Sequence, residues 1–223
     1  VKTMQPEEIL QFWFPIQSDV DPATLVRQWE WWFRGEADAD IIKHFSPVLE
    51  QAIAGELNDW SQEPRSRLAL ILVLDQFSRS IYRGTAQAFA QDPKASQLAL
   101  EGIAIGHYAA LETPWEKTFF VLPLGHSEDL RNLELVVELT DAIVQETPQM
   151  HQELLAFSAE QAHRQHAVIA RFGRHPHRNK ILGRHSTPEE LEYLATGQLV
   201  HKRSLPPHLS QLSSKGERLE KLK

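Results

Sequence analysis

The chain has 223 residues, 42% hydrophobic and 24% charged, an ordinary balance for a globular chain long enough to bury a real core. The absence of cysteine excludes a disulfide framework, a thiolate zinc site and a cysteine nucleophile. A net charge of −7 argues against nucleic-acid binding through the whole-molecule field, and the longest apolar run, Leu68 to Leu74, is far too short to span a bilayer.

Helices are expected near 5–13, 22–33, 38–54, 64–82, 93–106, 114–121, 128–146, 149–172 and 188–196, because the apolar residues recur with a helical period and no stretch alternates as a strand would. The leading segment VKTMQPEEILQFW has no long apolar stretch, so no secretory signal is expected and the expected compartment is the cytoplasm. Asp21-Pro22, Asp92-Pro93, Thr113-Pro114 and Thr187-Pro188 each place a capping side chain before a proline at the first helical position. Thr113 with Glu116 and Thr187 with Glu190 add the capping-box spacing. Glycines 55, 84, 173 and 197 stand where helices should end. Short connections predict sequential helices packed antiparallel, and 1–198 reads as a single helical domain. Residues 199–223 read as a polar tail, loosely packed or mobile.

In chain order, the first residues to question are Trp29, Trp32 and Phe33, which share one face of the second helix and read as core; Trp31 lies off that face. The helix over 64–82 is apolar nearly all round, yet Asp75, Arg79 and Arg83 recur every four residues along one stripe. Charges on a buried helix need partners or a polar cavity, so this stripe is either an ion-pair ladder or one wall of a site. Next, His126, Ser127, Glu128 and Asp129 fall at an expected helix start, where Ser127 caps and the acids complement the helix dipole. An alternative gives His126 a proton-transfer role oriented by a carboxylate. Ser127 lacks the strand-turn-helix setting of a nucleophile. Glu160 and His163 form one Glu-x-x-His pair where a di-metal bundle needs two, so no metal and no cofactor is expected.

Charge is unevenly distributed. Residues 1–160 hold 25 Asp and Glu, whereas Gln161 to Pro188 holds none and carries Arg164, Arg171, Arg174, Arg178, Lys180 and Arg184 with five histidines. The helical half of this stretch is ordinary and amphipathic. Its loop presents Arg174, His177, Arg178 and Arg184 before a new helix at Pro188. Such a block is either an anion site or an internal counter-charge.

Four segments, ILQFWF at 9–14, LALILVLDQFSRSIYRGTAQAFAQD at 68–92, LPLGHSEDL at 122–130 and RFGRHPHRNKILGRHSTPEELEYL at 171–194, together resemble the bacterial helical family catalogued as domain of unknown function 924. The resemblance spans roughly residues 5–198. It implies an all-α, tetratricopeptide-like α/α superhelix in a soluble bacterial protein, and it supplies no reaction. The family pattern has Phe-Pro-Arg-Asn where this chain has Phe77-Ser78-Arg79-Ser80, and Arg-Phe-Pro-His-Arg-Asn where it has Arg174 to Asn179 with His175. The charged positions match and the flanking ones depart.

Three functions follow as expectations. The first is a binding module for an anionic small molecule or an acidic peptide, with Asp75, Arg79, Arg83, Arg174, Arg178 and Arg184 around the ligand. The second is an enzyme acting on an anionic substrate, with His126 or His177 as acid/base and Glu128 or Asp75 as the orienting carboxylate. The third is a scaffold whose charges are internal ion pairs. Neither nucleic acid nor membrane is expected as a partner.

Overall fold

A computed structural model describes residues 4–15 and 20–212, and among these residues the fold is all-α with no strand. The described residues fall into two units. Unit 1 takes in the residues up to Val20 and Gln28–Ser127; unit 2 takes in Asp21–Arg27 and everything from Glu128.

Unit 1 is built on its most apolar segment. Helix α4 (Pro64–Leu72), a π-helical turn (Val73–Phe77) and α5 (Ser78–Ile81) follow one another without a break. Leu68 to Leu74 are all at most 1% exposed. Complete burial on every side is what a helix without a polar face demands, and each such Leu or Ile contributes about 2 kcal/mol of transfer energy. The partners that cover this axis are α1 (Pro6–Trp13), α3 (Asp38–Ala54), α6 (Asp92–Ala104) and α7 (Pro114–His126). Aromatic rings from α1, the later part of α2 (Pro22–Phe33) and α7 close one end of the core: Trp13 lies 5.4 Å from Phe119, and Trp32 lies 5.0 Å from Trp115. Trp31, off the shared face of α2, packs its ring 5.2 Å from Phe12.

One buried charge of this unit, Arg67, is met by several acceptors. Arg67 is 4% exposed and donates to the Leu98 and Ser61 carbonyls and to His107 Nδ1. Gly102 lets α6 approach: a Cβ there would lie 2.5 Å from Phe120 and 2.7 Å from Arg67.

Two departures from the sequence reading have consequences for the site. Helix α7 does not stop near 121 but continues through Pro123 to His126. Burial of Phe119, Phe120, Val121 and Leu124 holds the helix across the missing N–H, and the Pro123 carbonyl accepts from Ser96 Oγ at 3.0 Å. His126 therefore ends a helix instead of starting one. Ser127 is the C-cap of α7, and the N-cap of the next helix is Asp129, whose carboxylate accepts from Arg131 N–H at 3.0 Å. The second difference concerns Asp92. Asp21, Thr113 and Thr187 cap as their sequence predicts, but α6 takes Gln91 as its N-cap, and Asp92, its first residue, pairs its carboxylate with Arg79.

Unit 2 is a helix pair with a loop and a short helix. Helices α8 (Leu130–Glu146) and α9 (Gln149–Phe172) are joined by two residues and pack along each other, so they run antiparallel. Gly173 ends α9 with φ of 69°, a left-handed conformation that glycine adopts without penalty. His175 is extended, as a residue before proline should be, and Pro176–Arg178 form a 3-10 turn. The capping box of Thr187 and Glu190 starts α10 (Pro188–Ala195). Beyond it, Leu199, Leu205 and Leu209 are buried, Gln161 Nε2 donates to the Val200 carbonyl at 2.6 Å, and Arg203 pairs with Glu160. The remainder of the expected tail, 213–223, lies outside the described residues. No helix among the described residues is long and apolar enough to cross a membrane.

Candidate functional site

In unit 1, three charged side chains and an imidazole meet at the end of the buried axis. The π turn supplies Asp75, α5 supplies Arg79, the first residue of α6 supplies Asp92 and the last residue of α7 supplies His126. Single π turns inside α-helices recur at functional sites because they re-aim side chains that an unbroken helix would hold in register. Asp75 is 1% exposed, and His126 Nδ1 lies 2.7 Å from its Oδ1. Arg79 Nη1 donates to the same Oδ1 at 2.9 Å and to the Asp75 carbonyl at 2.9 Å. Gln76 Nε2 donates to Oδ2 at 2.5 Å. On its other side Arg79 Nη2 donates to Asp92 Oδ2 at 3.0 Å, with Nη1 2.9 Å from Asp92 Oδ1. The guanidinium also lies 5.7 Å from the Phe89 ring.

The electrostatics follow from this geometry. Burial by itself would raise the Asp75 carboxyl, but Arg79 and His126 outweigh it and hold the group below the usual carboxylate range. Burial would likewise lower Arg79, and Asp75 and Asp92 reverse that. An ionised carboxylate only accepts, so His126 Nδ1 carries the proton in this contact. In the neutral ring Nε2 is then left as an acceptor. His126 retains 15% side-chain exposure.

Arg83 does not join this group. The i, i+4, i+8 stripe assumed an unbroken α-helix, whereas the helix passes through a π turn and ends at Ile81. Arg83 pairs with Asp38, and its side chain is 62% exposed.

The remaining sequence candidates lie in unit 2, where they brace the loop after α9. Glu128 accepts from the His175 N–H at 2.7 Å and from both terminal nitrogens of Arg184 at 2.8 and 3.1 Å. Burial opposes ionisation of Glu128, and the Arg184 and His175 bonds overcome it, so its carboxyl is lowered. Arg174 forks onto Glu190 through Nε at 2.6 Å and Nη2 at 2.8 Å. Glu190 also accepts from the Thr187 N–H at 2.8 Å and from Asn179 Nδ2 at 3.1 Å. Chiefly through Arg174, its carboxyl is lowered to about 2. The His177 ring lies 5.5 Å from that of His175 and 4.1 Å from that of His201, and Arg178 is 6% exposed.

Sequence reasoning missed Asp92, Gln76 and Glu190 as members of these networks. Asp92 carries a capping signature that masks its ion pair, and Glu190 carries a capping-box signature that accounts for only part of its bonding. Glu160 and His163, the single Glu-x-x-His pair, turn to different partners: Glu160 to Arg164 and Arg203, His163 to Asp141. Among the described residues no group of three or more His, Asp or Glu is placed to hold a metal ion.

Fold and site together define an all-α protein with a buried carboxylate–imidazole pair in one unit and an arginine–glutamate network in the other. Residues 9–198 match the family described as bacterial protein of unknown function, DUF924, and the chain belongs to that family. It is similar in structure to the protein of unknown function ATU0120 from Agrobacterium tumefaciens, with 31% identity and a TM-score of 0.64 over 86% of this chain and 97% of that one. No curated protein matches the chain.

Proposed function

We propose that the chain is an enzyme in which His126 acts as general acid/base, oriented and electrostatically supported by Asp75, in proton transfer or hydrolysis. The observation that carries this reading is the 2.7 Å contact between His126 Nδ1 and the almost fully buried Asp75 carboxylate. A carboxylate in that place selects the ring tautomer and stabilises the imidazolium that forms when Nε2 takes a proton from substrate or water. The π turn that presents Asp75 supports the same reading.

The alternative of an anion-binding module draws less support from the geometry. Arg79, Arg83, Arg174 and Arg184 each face a carboxylate of the chain itself, and a ligand would have to compete with those pairs.

The test needs no known substrate. Carbethoxylation of His126 by diethyl pyrocarbonate is followed by mass spectrometry at alkaline pH, with exposed His185 as internal control. Ring nitrogen NMR reports the tautomer in parallel. The expected outcome is an Nδ1–H tautomer at His126, and in Asp75→Asn a loss of that tautomer with a His126 rate lowered about tenfold while His185 is unchanged. An Nε2–H tautomer in the parent chain, or a His126 rate indifferent to Asp75→Asn, would refute the assignment.

A further inference from the structure

We infer that Asp92 is a positioning residue: it divides the Arg79 guanidinium between two carboxylates and thereby keeps Asp75 Oδ1 available to His126. The inference rests on the acid/base reading of His126 and adds a residue that does not touch it.

Asp75 Oδ1 is a shared acceptor. It takes Arg79 Nη1 at 2.9 Å and His126 Nδ1 at 2.7 Å, while Gln76 occupies Oδ2. A carboxylate oxygen has two in-plane lone pairs, so both of those on Oδ1 are engaged. A guanidinium facing one carboxylate prefers the fork, with two parallel N–H donors onto the two oxygens. Arg79 does not do this toward Asp75, although its Nη1 and Nη2 lie 2.9 and 3.0 Å from the two oxygens of Asp92. Only Nη1 reaches Asp75, and Nη2 is committed to Asp92 at 3.0 Å. The Phe89 ring 5.7 Å from the guanidinium narrows its freedom further. Were the charge on Asp92 removed, nothing of equal strength would hold Nη2 back, and the fork would close on Asp75 at the expense of the Gln76 and His126 bonds. Asp92 is the first residue of α6, after the N-cap Gln91, and its side chain is 10% exposed.

The experiment compares Asp92→Asn and Asp92→Glu with the parent chain and with Asp75→Asn, using the His126 tautomer and carbethoxylation rate as readouts and a melting curve to establish folding. A purely structural role for Asp92 moves the melt and leaves the tautomer alone. The expected result is a folded Asp92→Asn protein with a mixed His126 tautomer and a rate reduced at least threefold, and recovery of both in Asp92→Glu. A folded Asp92→Asn with the parent tautomer and rate overturns the inference. If Asp92→Asn does not fold, Asp92→Ser serves in its place, because it too removes the charge that holds Nη2; parent-like values in that variant overturn the inference equally. Should Asp75→Asn respond and Asp92→Asn not, the positioning role alone falls. Should neither respond, the acid/base reading falls and takes the positioning role with it.

Discussion

Replacing Glu190 with Gln tests whether the loop after α9 is held by charge. Glu190 is 1% exposed, and its carboxylate receives four donors: two from Arg174, the Thr187 N–H and Asn179 Nδ2. Its carboxyl lies at about 2, against an ordinary value of 4.5. A carboxyl lowered on folding contributes stability that is fully present above the unfolded value and is lost as pH falls through the folded value. At 1.36 kcal/mol per pH unit, the drop from 4.5 to about 2 corresponds to about 3 kcal/mol at pH 7 and about 1 kcal/mol at pH 3. Glu190→Gln keeps the shape and removes the charge, so it should destabilise unit 2 by about 3 kcal/mol at pH 7, with a gap that narrows toward pH 3. Urea unfolding followed by far-UV circular dichroism measures the energy, and hydrogen exchange of residues 174–187 localises it. Parent and variant unfolding at the same midpoint at pH 7, or a gap that does not shrink on acidification, would refute the electrostatic account of this loop.

Other substitutions probe packing and the ranking of ion pairs. Gly102→Ala should lower stability by about 1–3 kcal/mol, because the new methyl would meet Phe120 and the Arg67 stem; an unchanged melting temperature would mean that α6 and α7 are not in close contact there. Arg83→Ala should cost less than about 1 kcal/mol, since its pair with Asp38 is largely solvated, and a greater loss in a denaturant titration would place it in the buried network after all. Arg67→Met should cost about 3 kcal/mol or more by stranding the Ser61 and Leu98 carbonyls, and a melt within a degree of the parent would contradict this role.

How much of this was legible in the sequence depends on the range of the interactions concerned. Local rules read well. Thr113 and Thr187 announce their helices through hydrogen bonds that span three residues, and Gly55 and Gly173 end theirs in the left-handed conformation that glycine permits. The unbroken apolar segment Leu68 to Leu74 declared its own burial, since no face of it could meet water. Asp75, Arg79 and His126 stood out by residue type, as charged or titratable groups in apolar surroundings.

What the sequence could not convey is which group answers which. The π turn over Val73–Phe77 changes the register of the buried helix, and nothing in a pattern built on 3.6 residues per turn marks it. Helix α7 passes through Pro123 because neighbouring helices bury it, a tertiary effect that overrides the local penalty and carries His126 to Asp75. Asp92 has the sequence signature of a cap and is drawn instead to Arg79, thirteen residues away. The acid-free stretch from Gln161 to Pro188 reads equally as an anion site or as an internal counter-charge. In the folded chain Glu128, far upstream of it, and Glu190, just after it, pair with Arg184 and Arg174. Composition fixes how many charges a chain holds and local pattern fixes where helices begin, but ion pairing is decided by distance in space. Only the tertiary structure sets that distance, because Coulomb energy and hydrogen-bond geometry depend on it and not on separation along the chain.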